Sequence, residues 1–261
     1  MNQGGYNVLH SREAVVLRSW VAVSILFSLA FTSPQVTPVT PAAPPAVIVL
    51  YNGALGVTPD AQGALFYLPQ NSEDPPPAST QSWANNFTTL NTLTKTTDLA
   101  GYFTSTVTLD RQTGFAITFT TQVISETHLN NHSAGLSVIA LSADLQGIEL
   151  GFWQNRVWAQ EGGVDPELFT QAEGATFDAT AVTTYTLFVQ GSHYWLNANS
   201  VMILNGPLRD YTAFNGFFDP YETPNFIFFG DDTSSASAEW RFGLATILAP
   251  LYQLHLPLVQ K

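Results

Sequence analysis

The sequence predicts an all-β protein folded as a two-sheet antiparallel sandwich. Two observations carry this. Short runs of apolar–polar alternation recur from Val47 onward, and no apolar period of 3.6 residues persists over three helical turns. Turn residues interrupt the runs at close intervals, giving roughly a dozen strands in about 200 residues, more than one sheet usually holds.

From the N-terminus, the 261-residue chain opens with Arg12 and Arg18, followed by an apolar run from Trp20 to Phe31. That run is too short to cross a ~30 Å hydrocarbon core comfortably. With Ser28 and Ala30 at −3 and −1 spacing, residues 1–30 read as a secretory signal peptide. An uncleaved anchor is the alternative, because Ala14–Leu17 could lengthen the span. Residues 31–46 include "SPQVTPVTPAAPP". Proline at this density forbids ladder pairing and favours an extended spacer. The sandwich is expected over residues 47–249, with a tail over 250–261.

Within the sandwich, Phe115, Ile117, Phe119 and Val123 alternate with Ala116, Thr118, Thr120 and Gln122. Tyr185, Leu187 and Val189 alternate with Thr184, Thr186 and Gln190 in the same way. Such period-two runs belong to half-buried antiparallel strands. Gln190-Gly191-Ser192 and Asn197–Ser200 carry hairpin-turn chemistry, and Asn205-Gly206-Pro207 is expected to end the next strand similarly. Asn71–Pro77 and Gly216–Thr223 read as long loops. Trp83–Asp98 reads as one strand.

Charged residues make up only 11% of the chain, and the net charge is −12. An acidic chain repels phosphate backbones, so nucleic acid is a poor partner, and anionic membrane surfaces are disfavoured alike. Cysteine is absent, which rules out disulfides, thiolate zinc sites and a cysteine nucleophile. No G-x-S-x-G elbow, P-loop or dinucleotide fingerprint occurs.

Four stretches carry a resemblance: "LDRQTGFAITFTTQV" (109–123), "AGLSVIALSADLQGIELGFW" (134–153), "YTLFVQGSHYWLNANSVMILNGPL" (185–208) and "NFIFFGDDTSSASAEWRFG" (225–243). Over roughly residues 100–247 the chain resembles concanavalin A-like, laminin-G-like jelly rolls. More narrowly, it is similar to bacterial extracellular choice-of-anchor domains. That resemblance implies a secreted or surface-displayed jelly roll that binds carbohydrate, a cell-surface polysaccharide included, or mediates adhesion. It supplies no catalytic residues. The C-terminus "YQLHLPLVQK" departs from the pattern, since it shows no LPxTG-type sorting motif.

The strand Ile148–Trp153 holds the main candidate. Ile148, Leu150 and Phe152 share one face, and Glu149, Gly151 and Trp153 share the other. If the apolar set faces the second sheet, Glu149 points outward and behaves as a surface residue, with replacement costing no more than about 0.5 kcal/mol. Glycosidases of the resembled fold place several carboxylates on one such strand. Here Gly151 and Trp153 occupy the same-face positions, so a partner would have to come from a loop, through Glu126 or Glu161. An aromatic and polar sugar platform remains: Glu149, Trp153, Arg156, Trp158 and Gln160. The alternative is that Trp153 and Trp158 pack beneath a neighbouring loop. Trp195 carries the same two readings, with His193 and Asn197 beside it.

Gly230-Asp231-Asp232-Thr-Ser-Ser235 is the other constellation. Asp231 and Asp232 could hold Ca²⁺ through hard oxygen ligands, with Asp144 and Asn155 as distant contributors. Equally, Asp231 could cap a turn. His128 and His132 stand four apart but in a loop, a poor arrangement for zinc. Three functions follow: a non-catalytic glycan-binding module, a glycoside hydrolase or polysaccharide lyase, or a structural surface module without a small ligand.

Overall fold

The structure, a computed structural model, describes residues 44–71, 77–216 and 218–251. The expected signal, most of the proline-rich linker and most of the tail lie outside the described residues. In chain order the strands begin with β1 (Ala46–Asn52), β2 (Phe66–Asn71), β3 (Thr80–Ala84), β4 (Phe87–Asn91) and β5 (Asp98–Thr104). Next come β6 (Phe115–His128), β7 (Ser137–Leu141), β8 (Gly147–Trp153), β9 (Arg156–Gln160) and β10 (Gln171–Thr176). The last five are β11 (Thr183–Gln190), β12 (His193–Ala198), β13 (Val201–Pro207), β14 (Ile227–Asp231) and β15 (Ala236–Ala249).

They form two antiparallel sheets packed as a sandwich. Sheet A runs β13-β12-β11-β6-β15-β4-β3, and β1 joins it along β15. The length of β15 allows this. Glu239–Phe242 pair with β4, while Leu244–Ala249 pair with β1, Ala46 facing Ala249. Sheet B runs β10-β9-β8-β7-β14-β5-β2.

The expected alternation sets the core. Phe115, Ile117, Phe119, Val123, Tyr185, Leu187 and Val189 are all buried on the inner face of sheet A. Across the gap they meet Ile148, Leu150, Phe152 and Phe229 of sheet B. Aromatic rings carry the inter-sheet contact: Phe119 lies 6.1 Å from Phe152 and 5.6 Å from Phe229, and Phe229 lies 4.9 Å from Phe242. Edge and tilted approaches of this kind let large rings interdigitate in a layer about 10 Å thick. On the outer face of sheet A, Thr118 pairs with Thr186 and Thr120 with Thr184 through their hydroxyls.

Two local expectations need correction. Trp83–Asp98 is not one strand. Its first part belongs to a hairpin, β3 to β4, closed at Asn85-Asn86, where both residues have positive φ (51° and 66°). Asparagine tolerates that region, and two such residues in sequence form the turn whose twist matches a hairpin. Asn205-Gly206-Pro207 does not end β13 in a turn. It pairs with β12, Asn205 opposite Trp195, and Gly206 leaves space for the Glu173 carboxyl, which a β-carbon there would approach within 2.4 Å. The turns at Gly191-Ser192 and Asn199-Ser200 do connect β11, β12 and β13.

Candidate functional site

The outer face of sheet B is not open. Ile139, Leu141 and Phe228 on that face meet Tyr211, Tyr221 and Phe226 from the β13–β14 connection, forming a second apolar cluster. Leu168 and Phe169 from the β9–β10 connection pack beside them. Between these loops and the sheet lies a cavity of about 410 Å³. Phe169, Phe214, Phe218 and Tyr221 form its apolar wall, and Glu149, Asp232, Ser137 and Gln160 lie on its polar side.

The loop covering this face is anchored by charge. Arg209, almost fully buried, forms ion pairs with Glu161 and Glu173, each at 2.8 Å. Burial opposes its charge, but the two carboxylates more than offset this and raise its pKa. The Arg209 backbone also bridges to Gly147, at the start of β8, which fixes the loop above Glu149.

Glu149 faces away from the inter-sheet core, as its parity requires, yet only 3% of it is exposed. The expectation of a solvated residue is therefore corrected: loops that the strand pattern does not reveal cover it. Tyr221 Oη donates to Glu149 Oε2 at 2.5 Å, and the Glu149 backbone N–H donates to Tyr211 Oη at 3.1 Å. Ser137 Oγ lies 3.4 Å from Glu149 Oε1.

Glu149 also has a partner carboxyl, supplied by Asp232. Burial, then the Asp232 charge, pushes the Glu149 pKa well above the usual carboxylate range. Burial also pushes Asp232 up, to about 6, while a hydrogen bond from Ser137 restrains the rise. Both carboxyls thus favour their protonated forms, and the pair tends to hold one proton between them, since two adjacent buried carboxyls resist double ionisation.

The two loop acids separate. Asp231 shares the inward parity of Ile227 and Phe229, accepts from Thr92 Oγ1 at 2.6 Å, and caps a turn through the Thr233 N–H at 3.2 Å. Asp232 takes the opposite face. They do not converge on one ion, because successive strand residues point to opposite sides. Asp144 is held by Arg111 at 2.8 Å. Among the described residues, no group of three or more His, Asp or Glu side chains is placed to hold a metal.

The expected sugar platform also divides. Gln160 lines the cavity, its amide donating to the His132 carbonyl at 2.8 Å. Trp158 is fully buried and cannot offer a ring face to a ligand. It lies over Gly151, where a β-carbon would come within 2.5 Å of its Cζ2. Trp153 stacks on His128 at 4.1 Å and donates to the Ser133 carbonyl at 2.9 Å. Arg156 donates to Gln171 Oε1 at 2.8 Å, outside the cavity. Glu126, which lies on β6 and not in a loop, contacts His128, and Glu161 contacts Arg209, so neither partners Glu149.

No family model matches the sequence, and no curated protein matches it. Among solved structures, the chain is similar to a carbohydrate esterase from a Shiga toxin-encoding bacteriophage. That match has a TM-score of 0.53 at 10% identity and covers 78% of this chain and 99% of the other. A galectin-like protein of unknown function from Bacillus subtilis matches at TM-score 0.46 and 9% identity, covering 76% of this chain and 94% of its own. The carbohydrate recognition domain of Emp46p matches at TM-score 0.44 and 11% identity, covering 76% and 95%. The two packed antiparallel sheets define the class, a two-sheet, jelly-roll-type β-sandwich, and the bacteriophage protein shares that fold.

Proposed function

We propose that the chain is a secreted or cell-surface module, of the choice-of-anchor kind, that binds a carbohydrate in this cavity without cleaving it. The supporting observation is the cavity's composition. Aromatic rings from two loops face a polar side made of Glu149, Asp232, Ser137 and Gln160. Sugars are held by this combination, with ring faces meeting C–H surfaces and a few placed polar groups fixing orientation.

Glycoside hydrolysis fits poorly. It needs two carboxyls about 5–5.5 Å apart for retention, or about 6.5–9.5 Å for inversion. Glu149 and Asp232 instead sit together on the cavity's polar side, close enough for each to alter the other's ionisation. A second reading comes from the same pair. Two carboxyls sharing a proton can activate water against a carbonyl, and the bacteriophage neighbour is a carbohydrate esterase, so hydrolysis of a sugar ester is the catalytic alternative.

A glycan array, run beside ester- and reducing-sugar-release assays, tests these readings. Binding without turnover supports the module. Turnover lost in Asp232→Asn supports the esterase. Neither binding nor turnover would leave a structural surface module. N-terminal sequencing of the exported protein tests the address, with a start near Phe31 expected.

A further inference from the structure

We propose that the sugar held in this cavity carries a free ammonium group, making the ligand class a non-acetylated amino sugar; this rests on the carbohydrate reading above. The first reason is charge. Two carboxyls face the cavity, and among its described lining residues only His132 could carry a positive charge. His132 Nδ1 accepts the Gln171 backbone N–H at 3.2 Å, a role open only to a nitrogen without its proton. Nearby cations are engaged elsewhere: Arg209 with Glu161 and Glu173, and Arg156 with Gln171. Asp232 therefore has Ser137 and Glu149 beside it but no counter-charge facing the cavity among the described residues.

A ligand entering here must displace water from that carboxylate. A neutral sugar would desolvate the charge without a countering one, and an acidic sugar would add like-charge repulsion. An ammonium supplies the opposite charge and three donors, matching carboxyl oxygens that still have free lone pairs.

The second reason is the wall. Phe169 lies 5.1 Å from Phe214 and 5.3 Å from Tyr221, and Phe214 lies 5.6 Å from Tyr221. A contiguous aromatic surface attracts a cation through its ring faces while stacking on apolar C–H groups. Phe169 adopts φ 60°, a conformation rare for a bulky residue, and its ring stands in this wall. The net charge of −12 also favours the approach of a cationic ligand.

Calorimetry of the full chain at pH 7 decides the matter, using glucosamine oligomers, their N-acetylated counterparts, a neutral gluco-oligosaccharide of equal length, and cyclohexylamine. The glucosamine oligomer is expected to bind at least tenfold more tightly than the N-acetylated one. Asp232→Asn should erase that preference, lowering affinity for the glucosamine oligomer at least tenfold and more than it lowers affinity for the N-acetylated one. If that variant does not fold, salt titration of the wild type reads the same charge, weakening only the glucosamine complex. Equal binding of acetylated or neutral oligomers would overturn the inference and leave the carbohydrate reading standing. Cyclohexylamine binding as tightly as glucosamine would support the cation site and overturn the carbohydrate reading. Binding by none of the four would overturn both.

Discussion

Glu149 on β8 and Asp232, one residue past the end of β14, meet over Ser137, although β7 lies between the two strands. Register explains how. Ser137 pairs with Gly151 on one side and Gly230 on the other, and Gly230 pairs in turn with Gly101. Across β8, β7, β14 and β5 this row thus carries one small side chain among three glycines. Phe228 leans over Gly101 and Gly230, while Trp158 leans over Gly151. Glu149 lies two residues from the row on one side and Asp232 two residues from it on the other, so their side chains converge diagonally above the serine.

The pair makes Glu149 a hydrogen-bonding acid rather than a surface charge. Glu149→Gln keeps an acceptor for Tyr221 and a donor for Asp232, and should cost less than about 1 kcal/mol at pH 7. Glu149→Leu leaves Tyr221 without an acceptor and Asp232 without that donor, and should cost about 2–4 kcal/mol. Urea unfolding of both variants checks this; equal losses would show that the hydrogen bonds contribute little.

Stability should also depend on pH in a direction opposite to ordinary acid denaturation at the buried acids Glu149, Asp231 and Asp232, whose pKa values burial raises. An acid whose folded pKa is raised binds its proton more tightly when folded. Its contribution is complete below the unfolded value and is lost as pH rises through the folded one. For Asp232 that window runs from 3.8 to about 6. The groups facing it are Glu149 from β8, Ser137 from β7 and Tyr221 from the covering loop, and His132 lines the same cavity. Asp144, Glu161, Asp178 and Asp210 are shifted downward and act in the opposite sense. The readout is therefore a difference: Asp232→Asn should be more stable than wild type at pH 7, by about 1–2 kcal/mol, and the gap should narrow between pH 6 and pH 4. Chemical denaturation across that range measures it.

The strands were legible because alternation is local. Phe115 to Val123 and Tyr185 to Val189 declare a buried face in a few residues each, and the structure places them there. The parity of Glu149 was legible for the same reason. Its burial was not, because exposure on the outer face depends on the β9–β10 and β13–β14 connections, whose course no periodicity encodes. The partner carboxyl was hidden by sequence distance: Glu149 and Asp232 lie 83 positions apart and meet only through the β8-β7-β14 order. One signal did exist. Gly151 and Gly230, each two residues from one of these acids, mark places where strands lack side chains and neighbours approach closely.

Arg209 should matter more to the cavity than its distance from Glu149 suggests. Replacing it with Met leaves the partly exposed Glu161 and Glu173 without their shared cation, at a cost of about 1–2 kcal/mol once solvent screening of the two carboxylates is allowed for. Both acids flank the β9–β10 connection that carries Phe169, so ligand affinity should fall along with stability. Thermal melting and the calorimetry above read the two effects. Arg209→Lys should recover only part of either, since a point charge cannot reproduce the paired contacts to Glu173 Oε1 and Oε2 at 2.9 and 2.8 Å.

Ring truncation distinguishes the cavity from the platform the sequence suggests. Trp153 and Trp158 were the aromatic residues expected to carry a sugar. Trp158 has no exposed surface, and Trp153 is occupied by His128 and the Ser133 carbonyl, whereas Phe169 and Tyr221 face the cavity. Phe169→Ala should therefore weaken ligand binding by about 2 kcal/mol or more, as an anchor in a buried patch does. Trp153→Ala should act mainly on stability, through lost packing against Trp158 at 4.6 Å. Because Phe169 holds a positive φ, Phe169→Gly is a useful companion: it removes the ring while relieving the backbone. Folding stability should then hold up better than in the alanine variant while binding falls as far. Should Trp153→Ala abolish binding and Phe169→Ala leave it intact, the ligand would lie beside Trp153 and not in the cavity.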